Sequence, residues 1–411
     1  MGNLQIRMDE LIRAVTIALD IVEHGLLGAS ANHGKRIGVL CAEMGRQFGM
    51  DDYAITSLVS SALLHDSALT EYILSERDRN DPAMRLHCEY GERNAQAMLP
   101  GRDIAGFVLY HHERADGCGP FGKKSGEYPL EAELIAIADM LDVSCHLQTI
   151  APGDLPALRR RVADGAGEAY TKRATEAMLC ALDASMLEKL RDENIGETVE
   201  RTIPTWTAEI DDKCVFGLGG MTARIIDYKS EFTRRHSTQI ANKAWLMGER
   251  CGYDAKHKTR LYLSAALHDL GKLAVPSEIL EKPGKLTNEE FEIIKAHAGL
   301  THDLLKDISG FDEVCAIASS HHEKLNGSGY PFRKDVEELS FDERLLACLD
   351  IYQAVSEARP YHPGRNHAET MPILNSMAEN ELIDGGIVAD LDVVMEEYSG
   401  GDVPPPPGAV A

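Results

Sequence analysis

Two sets of histidines and aspartates recur along this chain at matched intervals. In the first, His33 is followed 32 residues later by His65-Asp66, then by His87, by His111-His112 a further 24 residues on, and by Asp139. In the second, His236 is followed after the same 32 residues by His268-Asp269, then by His297, by His321-His322 after the same 24, and by Asp350. Ten of the sixteen histidines belong to these sets, so equal spacing by chance is a poor explanation. A single helical histidine is ordinarily a core or surface residue; five with two aspartates, in a repeated order, form a ligand set. Imidazole nitrogen and carboxylate oxygen without thiolate suit iron, manganese or a similar divalent ion better than structural zinc. An adjacent His-Asp pair can serve two ions when the carboxylate bridges them. Asp350 ends the apolar run Leu345-Leu346-Ala347-Cys348-Leu349, where a carboxylate is costly to bury unless it is paired with a cation; the plainer alternative is a buried salt bridge.

Such side chains need rigid elements, and the elements here read as helices. Apolar residues recur at three and four positions, as in Ile37, Leu40, Met44 and Phe48, or Ile240, Met247 and Cys251. Breaks are expected at Pro100-Gly101, Gly117 to Gly122, Pro152-Gly153, Gly217 to Gly220 and Gly327 to Pro331. The repeat divides the chain into two homologous all-α bundles in tandem, 9–195 and 221–400, with a Gly-bearing linker over 196–220. The tail 401–411, with Pro404 to Pro407, cannot be helical and is expected to be disordered.

Composition narrows the partners. A formal charge of −24 over 411 residues repels duplex DNA and anionic membranes, yet leaves room for a small anion in a locally positive, metal-containing pocket. The nine cysteines include no Cys-x-x-Cys pair, which fits a reducing compartment. No segment has the apolar core of a signal peptide or the roughly 18 apolar residues of a membrane span. The expectation is a soluble, cytoplasmic protein.

His236, His268-Asp269-Leu270-Gly271-Lys272, His297, His321-His322-Glu323 and Gly327-Ser328-Gly329-Tyr330-Pro331, in that order, resemble the HD-GYP subfamily of the HD-superfamily phosphohydrolases. The resemblance spans nearly all of 221–365 and implies HD-type helical bundles, two or three bound metal ions, and a cyclic dinucleotide substrate. That substrate would be cyclic di-GMP or 3′3′-cyclic GMP-AMP, cut to a linear dinucleotide or to mononucleotides. Carried over by position, His236, His268, Asp269 and Asp350 would hold one ion, and Asp269, His297, His321 and His322 the other. Phe232 stands where some members place a glutamate for a third ion, so the resemblance implies two, with iron or manganese favoured. Asp269 and Lys272 are the implied catalytic pair. Lys272, Tyr330 and Arg359 are the implied substrate contacts: an ammonium and a guanidinium on phosphate, and a flat ring or hydroxyl on a base or phosphate. The alternatives are an exposed lysine and a plain loop packed by its tyrosine. His362 and Gln353 depart from the family's usual residues, which bears on substrate preference more than on the metal centre.

The first copy keeps His33, His65, Asp66, His87, His111, His112 and Asp139, but has Leu69 at the position of Lys272 and Gln148 at that of Arg359. Its loop reads Gly117-Cys118-Gly119-Pro120-Phe121. Three readings stay open for it: a metal site without turnover, an empty structural repeat, or a divergent active site. For the whole chain, the alternatives to a cyclic dinucleotide phosphodiesterase are an HD phosphohydrolase acting on other nucleotides and a metal-containing nucleotide sensor. Signalling proteins or a second copy of the chain are the candidate macromolecular partners.

Overall fold

A computed structural model describes residues 4–27, 31–69, 81–228, 235–282, 284–357, 364–398 and 402–407. The chain forms two compact units, Met8–Thr207 and a second made of Met1–Arg7 with Ala208–Ala411. Both are helical, as expected of an all-α protein.

In the Met8–Thr207 unit the helices are α1 (Met8–Leu27), α2 (His33–Gln47), α3 (Asp52–Leu63), α4 (Asp81–Met98), α5 (Leu130–Cys145), α6 (Leu155–Asp164), α7 (Lys172–Ala181), α8 (Ala184–Lys189) and α9 (Asp192–Thr202). α2 is the centre of the bundle, packed against α3, α5, α7 and α9. Ile37, Leu40 and Met44, the spacing that marked it as helical, are all fully buried. The Asp51 side chain accepts from Ala54 N at 2.9 Å, capping α3 and so fixing where that helix begins.

The second unit opens with a two-stranded sheet, β1 (Leu4–Arg7) beside β2 (Thr207–Ile210), and continues through α10 (Asp212–Tyr228), α11 (His236–Arg250), α12 (Ala255–Leu267), a 3₁₀ turn (Leu270–Ala274), α13 (Ser277–Leu280), α14 (Asn288–Leu305), α15 (Asp312–Ser319), α16 (Phe341–Ser356), α17 (His367–Glu379) and α18 (Gly385–Glu396). Here α11 packs along α12 and α16. Capping boxes at Thr287/Glu290 and Ser340/Glu343 start α14 and α16, the helices that carry His297 and Asp350.

Two expectations are corrected. Residues 196–220 are not a linker: they comprise most of α9, β2 and the first half of α10, with Val199, Ile203, Val215 and Leu218 buried. The glycines at 217–220 continue the helix because one of them is a contact: a Cβ on Gly219 would lie 2.7 Å from the Tyr262 ring. The part of the tail over 402–407 is docked through Val403 rather than disordered. Val403 is 1% exposed, its N–H donates to Gln239 Oε1 at 2.8 Å, and its carbonyl accepts from Asn242 Nδ2 at 3.0 Å. Among the described residues no helix is long and apolar enough to cross a membrane.

Candidate metal centre

The second His/Asp set is assembled from helix ends and two helix midpoints. His236 is the first residue of α11, and His268 and Asp269 follow the last turn of α12. His297 and Asp350 project from the interiors of α14 and α16, while His321 and His322 follow α15. Close approach at the His-Asp turn depends on Gly271, where a Cβ would lie 2.0 Å from the His297 carbonyl oxygen. Thr301 Oγ1 ties the same turn to α14, accepting from Gly271 N at 2.9 Å and donating to the His268 carbonyl at 3.0 Å.

Asp269, 1% exposed, lies between two groups of imidazoles. Its Oδ2 is 3.2 Å from His268 Nε2 and 3.8 Å from His236 Nε2, and its Oδ1 is 3.3 Å from His297 Nε2 and 3.8 Å from His321 Nε2. Asp350 likewise spans two directions, Oδ1 standing 3.3 Å from His236 Nε2 and Oδ2 3.5 Å from His322 Nδ1.

Three of the imidazoles give Nδ1–H to the backbone carbonyl three residues earlier: His268 to Ala265 O at 2.7 Å, His297 to Ile294 O at 2.6 Å and His321 to Ala318 O at 2.7 Å. A carbonyl oxygen only accepts, so each neutral ring carries its lone pair on Nε2. His297 and His321 then face each other, Nε2 to Nε2, at 3.1 Å. Two lone pairs at that distance repel unless a cation lies against both. His236 Nε2, His268 Nε2 and Asp269 Oδ1 are buried with no hydrogen-bond partner among the described residues. Orphaned donors of this type, converging on one carboxylate, fit a divalent cation.

Protonation favours the same use. Burial raises the Asp269 and Asp350 carboxyls, but the facing histidines, with Lys272 beside Asp269, outweigh it and hold both well below the usual range. Burial and neighbouring imidazoles keep His321 well below the ordinary histidine value, and burial is the main cause that brings His322 to about 3. His236 is the exception: burial opposes its charge, yet hydrogen bonds to Asp350 and Glu357 lift it to about 9. A cation taking its Nε2 would displace a proton.

The remaining expected residues fall in different places. Lys272 Nζ is 2.5 Å from Asp269 Oδ2, so its ammonium is at the cluster and 22% exposed. Tyr330 lays its ring 4.7 Å from that of His322. Arg359 and His362 lie outside the described residues, as does Phe232. Two residues carry roles the motifs did not reveal. Glu357 Oε2 is 2.9 Å from His236 Nδ1 and orients that ring; its signal was its place two helical turns after Asp350. Glu323, quoted only as part of a motif, accepts from the backbone N–H groups of Phe332, Arg333 and Lys334 and thereby holds the Gly327–Pro331 loop. Gly329 permits this, since a Cβ there would be 2.5 Å from Glu323 Cα.

Residues 220–387 match the HD domain family. Along most of its length the chain is similar to 3′3′-cGAMP-specific phosphodiesterase 1 of Vibrio cholerae, 27% identical over 360 residues that cover 84% of this chain and 82% of the relative. A cyclic di-GMP phosphodiesterase response regulator of Xanthomonas campestris is 36% identical over 141 residues, 34% of this chain and 37% of that protein. The crystal structure of a cyclic GMP-AMP specific phosphodiesterase from V. cholerae superposes with a TM-score of 0.64 at 21% identity, covering 96% of this chain and 98% of the other, and so shares its fold. With the ordered motifs gathered around Asp269, these likenesses show that residues 220–387 form an HD domain and that the chain is similar to proteins named as cyclic dinucleotide phosphodiesterases.

Proposed function

We propose that this chain is a metal-dependent phosphodiesterase that opens a cyclic dinucleotide at the cluster around Asp269. The observation that carries the reading is the division of that carboxylate, one oxygen toward His236 and His268 and the other toward His297 and His321. His236, His268, Asp269 and Asp350 would hold one ion, and Asp269, His297, His321 and His322 a second, with iron or manganese suited to this nitrogen and oxygen set. When bound, such a pair supplies a water of lowered pKa and neutralises phosphoryl oxygens during in-line attack.

The chain's own residues do the rest. Glu357 and the carbonyls of Ala265, Ile294 and Ala318 hold the imidazoles in the ligating tautomer. Lys272, poised on Asp269, brings an ammonium to a phosphate oxygen, and Tyr330, backed by His322, offers its ring to a base. Arg359 completes the phosphate contacts. Between the two substrates, 3′3′-cyclic GMP-AMP is favoured, because the relative specific for it matches this chain over 82% of its own length, against 37% for the cyclic di-GMP enzyme. Signalling proteins or a second copy of the chain are the partners through which the product or the metal state would be read.

The test is incubation of Mn²⁺-loaded full chain with each cyclic dinucleotide, with products separated by chromatography. Linear dinucleotide or mononucleotides are expected, faster from 3′3′-cyclic GMP-AMP, and Lys272→Ala should keep its metal while losing turnover. Tight binding of either ligand without any product would replace the reading by that of a nucleotide sensor.

A further inference from the structure

The first His/Asp set, within the Met8–Thr207 unit, converges as closely as the second. His33 Nε2 is 3.3 Å from Asp139 Oδ1, His87 Nε2 is 3.2 Å from Asp66 Oδ1, and His65 Nε2 is 3.5 Å from Asp66 Oδ2. Ligand atoms of His87, His111 and His112 all lie within 4.8 Å of one another, as do those of His33, His65 and Asp66. His65 and His111 commit Nδ1–H to the carbonyls of Ala62 and Val108, at 2.8 and 2.5 Å. Their Nε2 atoms, carrying the lone pairs, are buried with no hydrogen-bond partner among the described residues.

A further carboxylate joins them that belongs to no motif. Glu23, on α1, is 4% exposed, and its Oε2 has no hydrogen-bond partner among the described residues. The charges it faces are those of Asp66, His33, Asp20 and Asp139. Two buried carboxylates, Glu23 and Asp139, thus share one interior with the part-buried Asp66. Among the described residues the ion pairs of Asp66 and Asp139 are to histidines alone. The nearby guanidinium of Arg36 is committed elsewhere, to Asp142 at 2.7 Å and Asp192 at 3.0 Å. Asp142 in turn holds His33 Nδ1 at 2.6 Å, leaving His33 Nε2 for the cluster, as carboxylates do behind ligating imidazoles. A carboxylate-rich interior with lone pairs turned inward lacks only a cation.

We infer that the Met8–Thr207 unit holds divalent transition metal of its own, with Glu23 as a ligand beside Asp66, Asp139 and the histidines, in a centre that binds metal without gripping phosphate. Leu69, apolar and buried at the register of Lys272, removes the ammonium a phosphate would need. The inference is independent of hydrolysis at Asp269.

The experiment uses the full chain, stripped of metal, titrated with Mn²⁺, and assayed for bound metal by mass spectrometry after gel filtration. His268→Ala/Asp269→Ala, impaired at the second cluster, should retain bound Mn²⁺ that is lost when His65→Ala/Asp66→Ala is added. Glu23→Gln, nearly isosteric, should weaken the retained Mn²⁺ by about tenfold or more. Its melting temperature carries a second signature: the metal-free melt should be little changed, because the swap is nearly isosteric, while the Mn²⁺-loaded melt should fall, because a ligand has been lost. A merely structural residue would move both melts the same way. A His268→Ala/Asp269→Ala chain that is folded by circular dichroism and holds no Mn²⁺ above background overturns the inference. Should that variant unfold, Glu23→Gln decides alone: wild-type Mn²⁺ stoichiometry and affinity in it would remove Glu23 from the site.

Discussion

Leu69 and Lys272 stand at the same register, three residues past the aspartate of their His-Asp pair, and the two clusters differ around them in opposite directions. At the second cluster the ammonium proposed to meet phosphate is present, while the scaffold behind the proposed ligands is less charged: Lys243 donates to Gln353 Oε1 at 2.7 Å, and among the described residues Glu357 alone backs His236. At the first cluster the ammonium is gone, yet the scaffold is fully ionic. Arg36 forks onto Asp142 with Nε at 2.7 Å and Nη2 at 3.2 Å, and Asp142 backs His33. Asp142 and Gln353 occupy matched positions, three residues after Asp139 and Asp350. On the proposed reading, holding a cation and gripping a phosphate are separate tasks placed on separate residues, and each can change while the other persists.

The largest effect that would break this comparison is on turnover. A metal Lewis acid contributes several kcal/mol to phosphoryl chemistry, and about 4 kcal/mol is ~10³-fold in rate. His268→Ala/Asp269→Ala should lose at least that much, whereas His65→Ala/Asp66→Ala, checked for folding by circular dichroism, should keep most of its activity. A dead first-cluster variant beside an active second-cluster variant would place hydrolysis in the wrong half. Next comes the ionic scaffold: Asp142→Asn removes the carboxylate that Arg36, fully buried, forks onto, and should destabilise the chain by about 3 kcal/mol in urea unfolding. A loss below about 1 kcal/mol would mean that this buried pair is not what holds α2 to α5.

The smallest effect is a pH dependence that sharpens the contrast. Burial brings Lys243 down to about 8 from an ordinary 10.5, so between those values the folded chain binds fewer protons than the unfolded one. Stability should accordingly rise with pH across that window, by about 2 kcal/mol between pH 7 and 10, and fall again as pH drops through 8. Gln353→Asp, which supplies the carboxylate that Asp142 supplies in the first unit, should flatten the rise. An equal slope in both proteins would show that Lys243 does not carry it.

Legibility followed the kind of constraint. Donor types for a metal must occur in a set order at helix ends and midpoints, so all seven members of each His/Asp set could be named from spacing, whereas Lys272 was named through the family resemblance, since spacing alone left it equally an exposed lysine. The break at Gly217 to Gly220 was misread because a glycine also signals close packing, and only the Tyr262 ring distinguishes the two uses. The strand at Leu4–Arg7 was equally hidden: its Leu4 and Ile6 alternation is two residues long, too short to read until β2 pairs with it.

What the order of residues determined by itself was the doubled ligand set, the helical class and the loss of Lys272's ammonium in the first copy, all properties of local spacing and side-chain chemistry. Tertiary structure alone decided that Glu23 is buried with an unpartnered Oε2, that Glu357 rather than residue 353 backs His236, and that Val403 docks on α11. The physical reason is that burial and hydrogen-bond partnership arise from packing between segments distant in sequence. A glutamate in an amphipathic helix carries no mark of facing other carboxylates until the fold has closed around it.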